Sequence, residues 1–213
     1  MPDLSARLYL ITPRVTDPLA FAPELEAALS GGAVSCVLLN LTQPSGPDAK
    51  KAARALAEIV QRRDAALLVA NDPQLALRAN ADGAHISDAG EALVQAIAAL
   101  RPAKIVGAGG LKTKDAAMSA GEAGADYVMF GEPAADGWTP PFAQTLERAR
   151  WWAEIFSVPC VAYAQSAAEA AALAQAQCEF IAVGAALWSD KRGIATALAE
   201  VAAAVRAHPL AEA

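Results

Sequence analysis

Ala66-Leu67-Leu68-Val69-Ala70-Asn71-Asp72-Pro73 holds, in order, a short strand, a polar turn and the start of a helix. The run Ala66–Val69 lacks polar alternation, as expected of a strand covered on both faces of its sheet. Asp72-Pro73 then supplies helix punctuation: a carboxylate to accept free N–H groups, followed by a residue preset for a first helical turn. The same alternation recurs on either side. Apolar runs fall at Arg7–Thr12, Ser35–Leu41, Ala66–Ala70, Gly83–Ile86, Lys104–Gly107, Asp126–Phe130, Pro159–Ala162 and Phe180–Val183, each followed by an alanine-rich segment of helical period. Asp17-Pro18 and Ser166 mark further helix starts. Strand alternating with helix implies parallel strands joined by right-handed crossovers, and eight such units predict an α/β fold, a single (β/α)8 TIM barrel. A doubly wound open sheet would carry a glycine-rich turn after its first strand, and Thr12-Pro13-Arg14 has no glycine.

Nothing divides the 213 residues, so residues 1–213 read as one domain, with 207–213 expected to fray. Hydrophobic residues make up 55% and charged ones 19%, too apolar a mix for a disordered chain. The formal charge of −6 leaves no basic stripe, which excludes a nucleic acid or an anionic membrane as the expected partner. The expected partner is a small molecule, and nothing opposes a homo-oligomer. The N-terminus lacks a basic region followed by an apolar run, and no apolar stretch approaches 18 residues, so a cytoplasmic location is expected. Cys36, Cys160 and Cys178 have no metal-ligand spacing and read as buried, reduced thiols.

Chemistry in such a barrel sits at the C-terminal mouth, so the residues following each strand are the candidates. They include Thr12 and Arg14, then Asn40, Thr42 and Gln43, then Asn71 and Asp72, then His85, Ser87 and Asp88. Later strands deliver Gly107-Ala108-Gly109-Gly110-Leu111-Lys112, then Gly131-Glu132 and Asp136-Gly137-Trp138, then Tyr163, Gln165 and Ser166, and last Gly184. Asp72 and Asp88 offer hard oxygen ligands to Mg²⁺, which would keep waters and bridge to a substrate phosphate. Asp72 reads equally well as a helix cap. The glycines after strand 5 do not make a Walker A loop, because Leu111 precedes Lys112-Thr113. They leave a turn whose amides can face an anion, with Lys112 as a point charge. His85 has no partnered nucleophile in sequence and reads more readily as structural, and His208 falls in the tail.

The order of motifs resembles the thiamine phosphate synthase/TenI family. The matches are Leu8-Tyr9-Leu10-Ile11-Thr12, Val69-Ala70-Asn71-Asp72, Ala81-Asp82-Gly83-Ala84-His85-Ile86, Ile105-Val106-Gly107, Ala123 through Gly131, and Ile181 through Leu187. The resemblance implies a (β/α)8 barrel. For the synthase branch it also implies coupling of hydroxymethylpyrimidine diphosphate to a thiazole phosphate with loss of pyrophosphate. It further implies Mg²⁺ and cationic side chains around the diphosphate, and amides after strands 7 and 8, here Gly184 and Ala185, around the thiazole phosphate.

Departures fall where the charge belongs. The family's strand-2 Gln-Leu-Arg-Glu-Lys matches Val37-Leu38-Leu39-Asn40-Leu41 without gaps, which puts leucine in place of both cations. The second metal aspartate matches Gly90, the strand-5 serine matches Gly109, and the strand-6 lysine is absent from Ala134 through Pro141. The strand-7 Gly-Gly turn is Ala164-Gln165, the strand-8 serine is Ala185, and the TenI histidine after the strand-6 glycine is Glu132. At about 1.5–3 kcal/mol per charged hydrogen bond, two lost cations weaken diphosphate binding by roughly 3–6 kcal/mol, or about 10² to 10⁴ in affinity.

Two functions follow. One is a synthase-like enzyme of reduced or changed activity, with Asp72 and Asp88 on Mg²⁺ and substrate held by Asn71, Gly107, Gly109, Lys112, Gly131, Glu132, Trp138, Gly184 and Ala185. The other is a noncatalytic barrel that binds a small molecule or a protein partner at a mouth made apolar by Leu39, Leu41 and Trp138. A third reading, Glu132 or Asp136 as an acid or base in another reaction, has no motif behind it.

Overall fold

The computed structural model describes residues 5–32, 34–42 and 47–211. Strands β1 (Arg7–Val15), β2 (Val34–Leu41), β3 (Ala66–Ala70), β4 (Gly83–Ile86), β5 (Ile105–Ala108), β6 (Tyr127–Phe130), β7 (Cys160–Tyr163) and β8 (Phe180–Val183) close into a barrel in chain order. Every adjacent pair is parallel, including β1 with β8. The helices are α1 (Pro18–Ser30), α2 (Pro47–Gln61), α3 (Pro73–Arg78), α4 (Glu91–Leu100), α5 (Lys114–Glu122), α6 (Phe142–Ile155), α7 (Ala167–Gln175), a short α8 (Ala185–Trp188) and α9 (Ile194–Arg206). The fold is thus the single (β/α)8 barrel that the alternation predicts.

The punctuation works as expected. Asp17 accepts from Leu19 N and Ala20 N at 3.0 and 3.1 Å, Asp72 from Leu75 N at 2.8 Å, and Ser166 from Glu169 N at 3.2 Å. Each cap is worth about 1 kcal/mol.

Alternate strand residues separate two apolar layers. Leu8, Leu10, Val37, Leu39, Leu67 and Val69 pack outward against the helices, whereas Tyr9, Ile11, Cys36, Leu38, Leu68, Tyr127, Met129, Val161, Tyr163 and Ala182 fill the barrel. This corrects one expectation. Leu39 is wholly buried in the outer layer and Leu41 packs against it, so neither lines the mouth. A side-chain period of two turns Leu38 inward and Leu39 outward, and an ungapped sequence match does not carry that facing.

β1 runs past its predicted end. Proline at position 13 has no N–H for the ladder and the register shifts between Ile11 and Arg14, after which Arg14 pairs Asn40 and Val15 pairs Leu41. Thr12 Oγ1 replaces the lost backbone partner by accepting from Asn40 N at 3.0 Å, and Asn40 Nδ2 donates to Thr12 O at 3.2 Å. Thr12 and Arg14 therefore belong to the strand rather than to the loop after it. Gln43 lies outside the described residues.

The opposite end of the barrel is fastened by acidic side chains. Asp82 Oδ2 accepts from Leu67 N at 2.7 Å, Asp126 Oδ2 from Val106 N at 2.8 Å, and Glu179 Oε2 from Cys160 N at 3.1 Å. Each stands just before an even-numbered strand and satisfies an N–H at the start of the preceding odd one. In the tail, which the sequence reading expects to fray, His208 Nε2 lies 3.2 Å from Gln175 Nε2, Ala211 N donates to Gln177 Oε1, and Leu210 packs on the outer core. Cys36, Cys160 and Cys178 are buried and unbridged. Among the described residues, no helix is long and apolar enough to cross a membrane.

Candidate active site

His85, next to last in β4, is wholly buried. Its Nδ1 lies 2.8 Å from the Tyr127 hydroxyl, and the two rings stack with centroids 5.6 Å apart. The Tyr127 hydroxyl also meets that of Tyr9 at 2.8 Å, so a polar column runs down an otherwise apolar interior. Burial pushes both tyrosine hydroxyls well above their ordinary range and keeps them protonated; their contact adds to the rise at Tyr9 and opposes it at Tyr127.

On the mouth side of His85 stands Glu132. Its Oε1 lies 3.2 Å from His85 Nε2 without the alignment of a hydrogen bond, so Nε2 has no hydrogen-bond partner among the described residues. Ser87 Oγ donates to Oε1 at 2.6 Å and Gly110 N donates to Oε2 at 2.7 Å. Asn71 completes the group: its Oδ1 accepts from Ser87 N at 2.8 Å, its Nδ2 donates to Ser87 Oγ at 3.3 Å, and its own N donates to His85 O at 2.8 Å. Burial alone would raise the Glu132 pKa. Facing His85 and accepting from Ser87 and Gly110 more than offset it, so the carboxyl lies below its ordinary range and is ionised at neutral pH.

Two glycines make this arrangement sterically feasible. A Cβ on Gly107 would stand 1.9 Å from Tyr127 Cζ, and one on Gly109 would stand 2.0 Å from Glu132 Oε2 and 2.4 Å from His85 Nε2. A side chain at position 109 and Glu132 in this placement therefore exclude one another. Gly131, at φ +76°, takes a backbone conformation that side chains disfavour, and any Cβ there would meet Thr145 at 2.6 Å.

The structure gathers Asn71, Gly107, Gly109 and Glu132 around His85, whereas Gly131 turns toward Thr145 and the other candidates stand elsewhere. Lys112 is exposed, with its carbonyl held by Arg148 Nη2 at 2.7 Å. Trp138 is 63% exposed, and its loop is turned by Asp136 Oδ1 accepting from Trp138 N at 2.9 Å. Gly184, where a Cβ would stand 3.3 Å from Ile11 Cβ, and the exposed Ala185 open α8 on the far side of the mouth next to Tyr163. Asp72 and Asp88 each use Oδ1 on local backbone, Leu75 N and Gly90 N, and leave Oδ2 unengaged. Among the described residues, no three His, Cys, Asp or Glu side chains gather as a metal cage. That fits only a cation held largely by water and substrate, as Mg²⁺ is. Tyr9 and Tyr127 are the members that the sequence reading passed over; Ser87 stood among the mouth candidates without a role. The one signal for the tyrosines is their polar tip within runs otherwise apolar.

Fold and cluster define a parallel (β/α)8 barrel with ionisable chemistry gathered at its C-terminal mouth. Residues 8–187 match the family model described as thiamine monophosphate synthase, and the chain belongs to that family. It is 39% identical over 196 residues to a protein of Rhodospirillum centenum named thiamine-phosphate synthase, covering 91% of this chain and 95% of that one. A protein of the same name from Hyphomonas neptunium is 33% identical over 207 residues, covering 92% of each chain. The structure of a thiamine phosphate pyrophosphorylase from Pyrococcus furiosus superposes with a TM-score of 0.80 at 24% identity over 95% of this chain and 96% of that one, which supports the fold.

Proposed function

We propose that this protein couples hydroxymethylpyrimidine diphosphate to a thiazole phosphate at the barrel mouth, releasing pyrophosphate. The observation that carries this reading is the corner between β3 and β4. There the family-like stretches ending in Asn71-Asp72 and in His85-Ile86 are cross-linked by Asn71 N to His85 O at 2.8 Å and by Ser87 N to Asn71 Oδ1 at 2.8 Å. The names of the full-length relatives point the same way.

Asp72 and Asp88 are the residues that would hold Mg²⁺, through the oxygens left free by their backbone hydrogen bonds. When bound, that ion would draw charge from the departing diphosphate. Arg14, exposed near the end of β1, and Lys112, exposed after β5, add cations. β2 turns Asn40 rather than a cation toward the mouth, so turnover is slow for the family. The binding-only alternative loses two of its three motives, since Leu39 and Leu41 face the helices, and keeps the exposed Trp138. The test is formation of thiamine phosphate by purified protein with both substrates and Mg²⁺, with Asp72→Asn as control. No product at high enzyme concentration overturns the reading.

A further inference from the structure

Breaking the carbon–oxygen bond of a methylene diphosphate separates charge. The electron pair leaves on the diphosphate oxygen, and the carbon, conjugated with the aminopyrimidine ring, becomes cationic. A protein can lower that barrier from either end, by cations at the leaving anion or by an anion at the nascent cation. Here β2 brings no cation to the first end, while Glu132 brings a carboxylate to the mouth.

We propose that Glu132 is a catalytic residue whose carboxylate faces the pyrimidine-derived cation and stabilises it as pyrophosphate departs. The inference rests on the coupling reaction proposed above. Bonding balances without a proton step: the C–O pair goes to pyrophosphate, the thiazole nitrogen lone pair forms the new C–N bond, and Glu132 stays ionised throughout.

Three observations support it. The carboxylate is held in place before any ligand arrives, by Ser87 Oγ at 2.6 Å and Gly110 N at 2.7 Å. A carboxylate has about four acceptor directions, so those two donors leave others for a ligand, and the side chain is still 13% exposed toward the mouth. Its placement also excludes a side chain at position 109, where a Cβ would stand 2.0 Å from Oε2. His85, wholly buried beside Glu132, acts through that carboxylate as a positioning residue.

The test is Glu132→Gln, nearly isosteric and neutral. Its amide can donate to Ser87 Oγ while its carbonyl still accepts from Gly110 N, so the fold should hold. The expected result is a fall in kcat of about 10²-fold, the order seen when one preorganised electrostatic contact is removed. KM for the pyrimidine diphosphate should be unchanged or lower and Tm nearly constant, whereas a merely structural role would move Tm, and a ground-state binding role KM. If the wild type makes no thiamine phosphate, the coupling reading falls and takes this inference with it. If the wild type turns over and Glu132→Gln keeps its kcat within about twofold, the reading stands and the inference falls. Should Glu132→Gln fail to fold, Ser87→Ala, which frees the carboxylate to swing, must lower kcat, or the inference falls.

Discussion

The two ends of this barrel use the same functional group for opposite purposes. At the N-terminal end, Asp82, Asp126 and Glu179 each accept a backbone N–H from the neighbouring strand, within sequence separations of 15, 20 and 19 residues. At the mouth, Glu132 accepts from Ser87 and Gly110 while facing the buried His85. The first set closes a ladder that would otherwise leave buried donors unpaired. The second leaves acceptor capacity unspent at the mouth. Carboxylate content alone therefore says little, and the direction in which a carboxylate is spent says much.

That contrast breaks most sharply under substitution. Glu132→Gln is expected to cost about 10²-fold in kcat with little change in Tm, measured by steady-state kinetics beside thermal unfolding. The reverse is expected of Asp126→Ala at the other end. Orphaning Val106 N should cost about 1–3 kcal/mol, or roughly 2–10 °C in Tm, with kcat retained. Equal activity losses from both would erase the distinction.

Asp72 tests the boundary between the two uses, since it both caps α3 and is a candidate Mg²⁺ ligand. Asp72→Ala should lose about 1 kcal/mol of stability along with activity, while Asp72→Asn should keep the cap and lose only activity. Retained turnover in Asp72→Asn would return the residue to a purely structural role.

The smallest expected effect is on the acid limb of stability. Glu132 has a lowered pKa in the folded protein, so its ionised form stabilises the fold above the unfolded-chain value of about 4.3. That contribution fades as pH falls through the folded pKa. Urea unfolding between about pH 3 and 6 should therefore give a shallower acid decline for Glu132→Gln than for wild type. Parallel curves would show that the carboxylate gains nothing from its surroundings.

Much of the fold was legible because its signals are local. A strand of four apolar residues, an Asp-Pro helix start or a serine cap is decided within one turn of chain, and Asp17, Asp72 and Ser166 all cap as their sequence suggests. The family was legible for a similar reason, as collinear motifs. The facing of Leu39 was not, because a one-residue slip in matching reverses it and only the packed layers reveal the slip. The continuation of β1 past Pro13 was hidden as well, since it depends on a hydroxyl supplied to the Asn40 amide across 28 residues.

What the sequence determined by itself, then, is the barrel, its helix starts and its family, all carried by patterns of apolar period and short-range capping. Only the tertiary structure decided the site. Ser87 meets Glu132 across 45 residues, His85 meets Tyr127 across 42, and Tyr127 meets Tyr9 across 118. Barrel closure brings those side chains within hydrogen-bond reach, and no local preference in the chain encodes a contact at such separations.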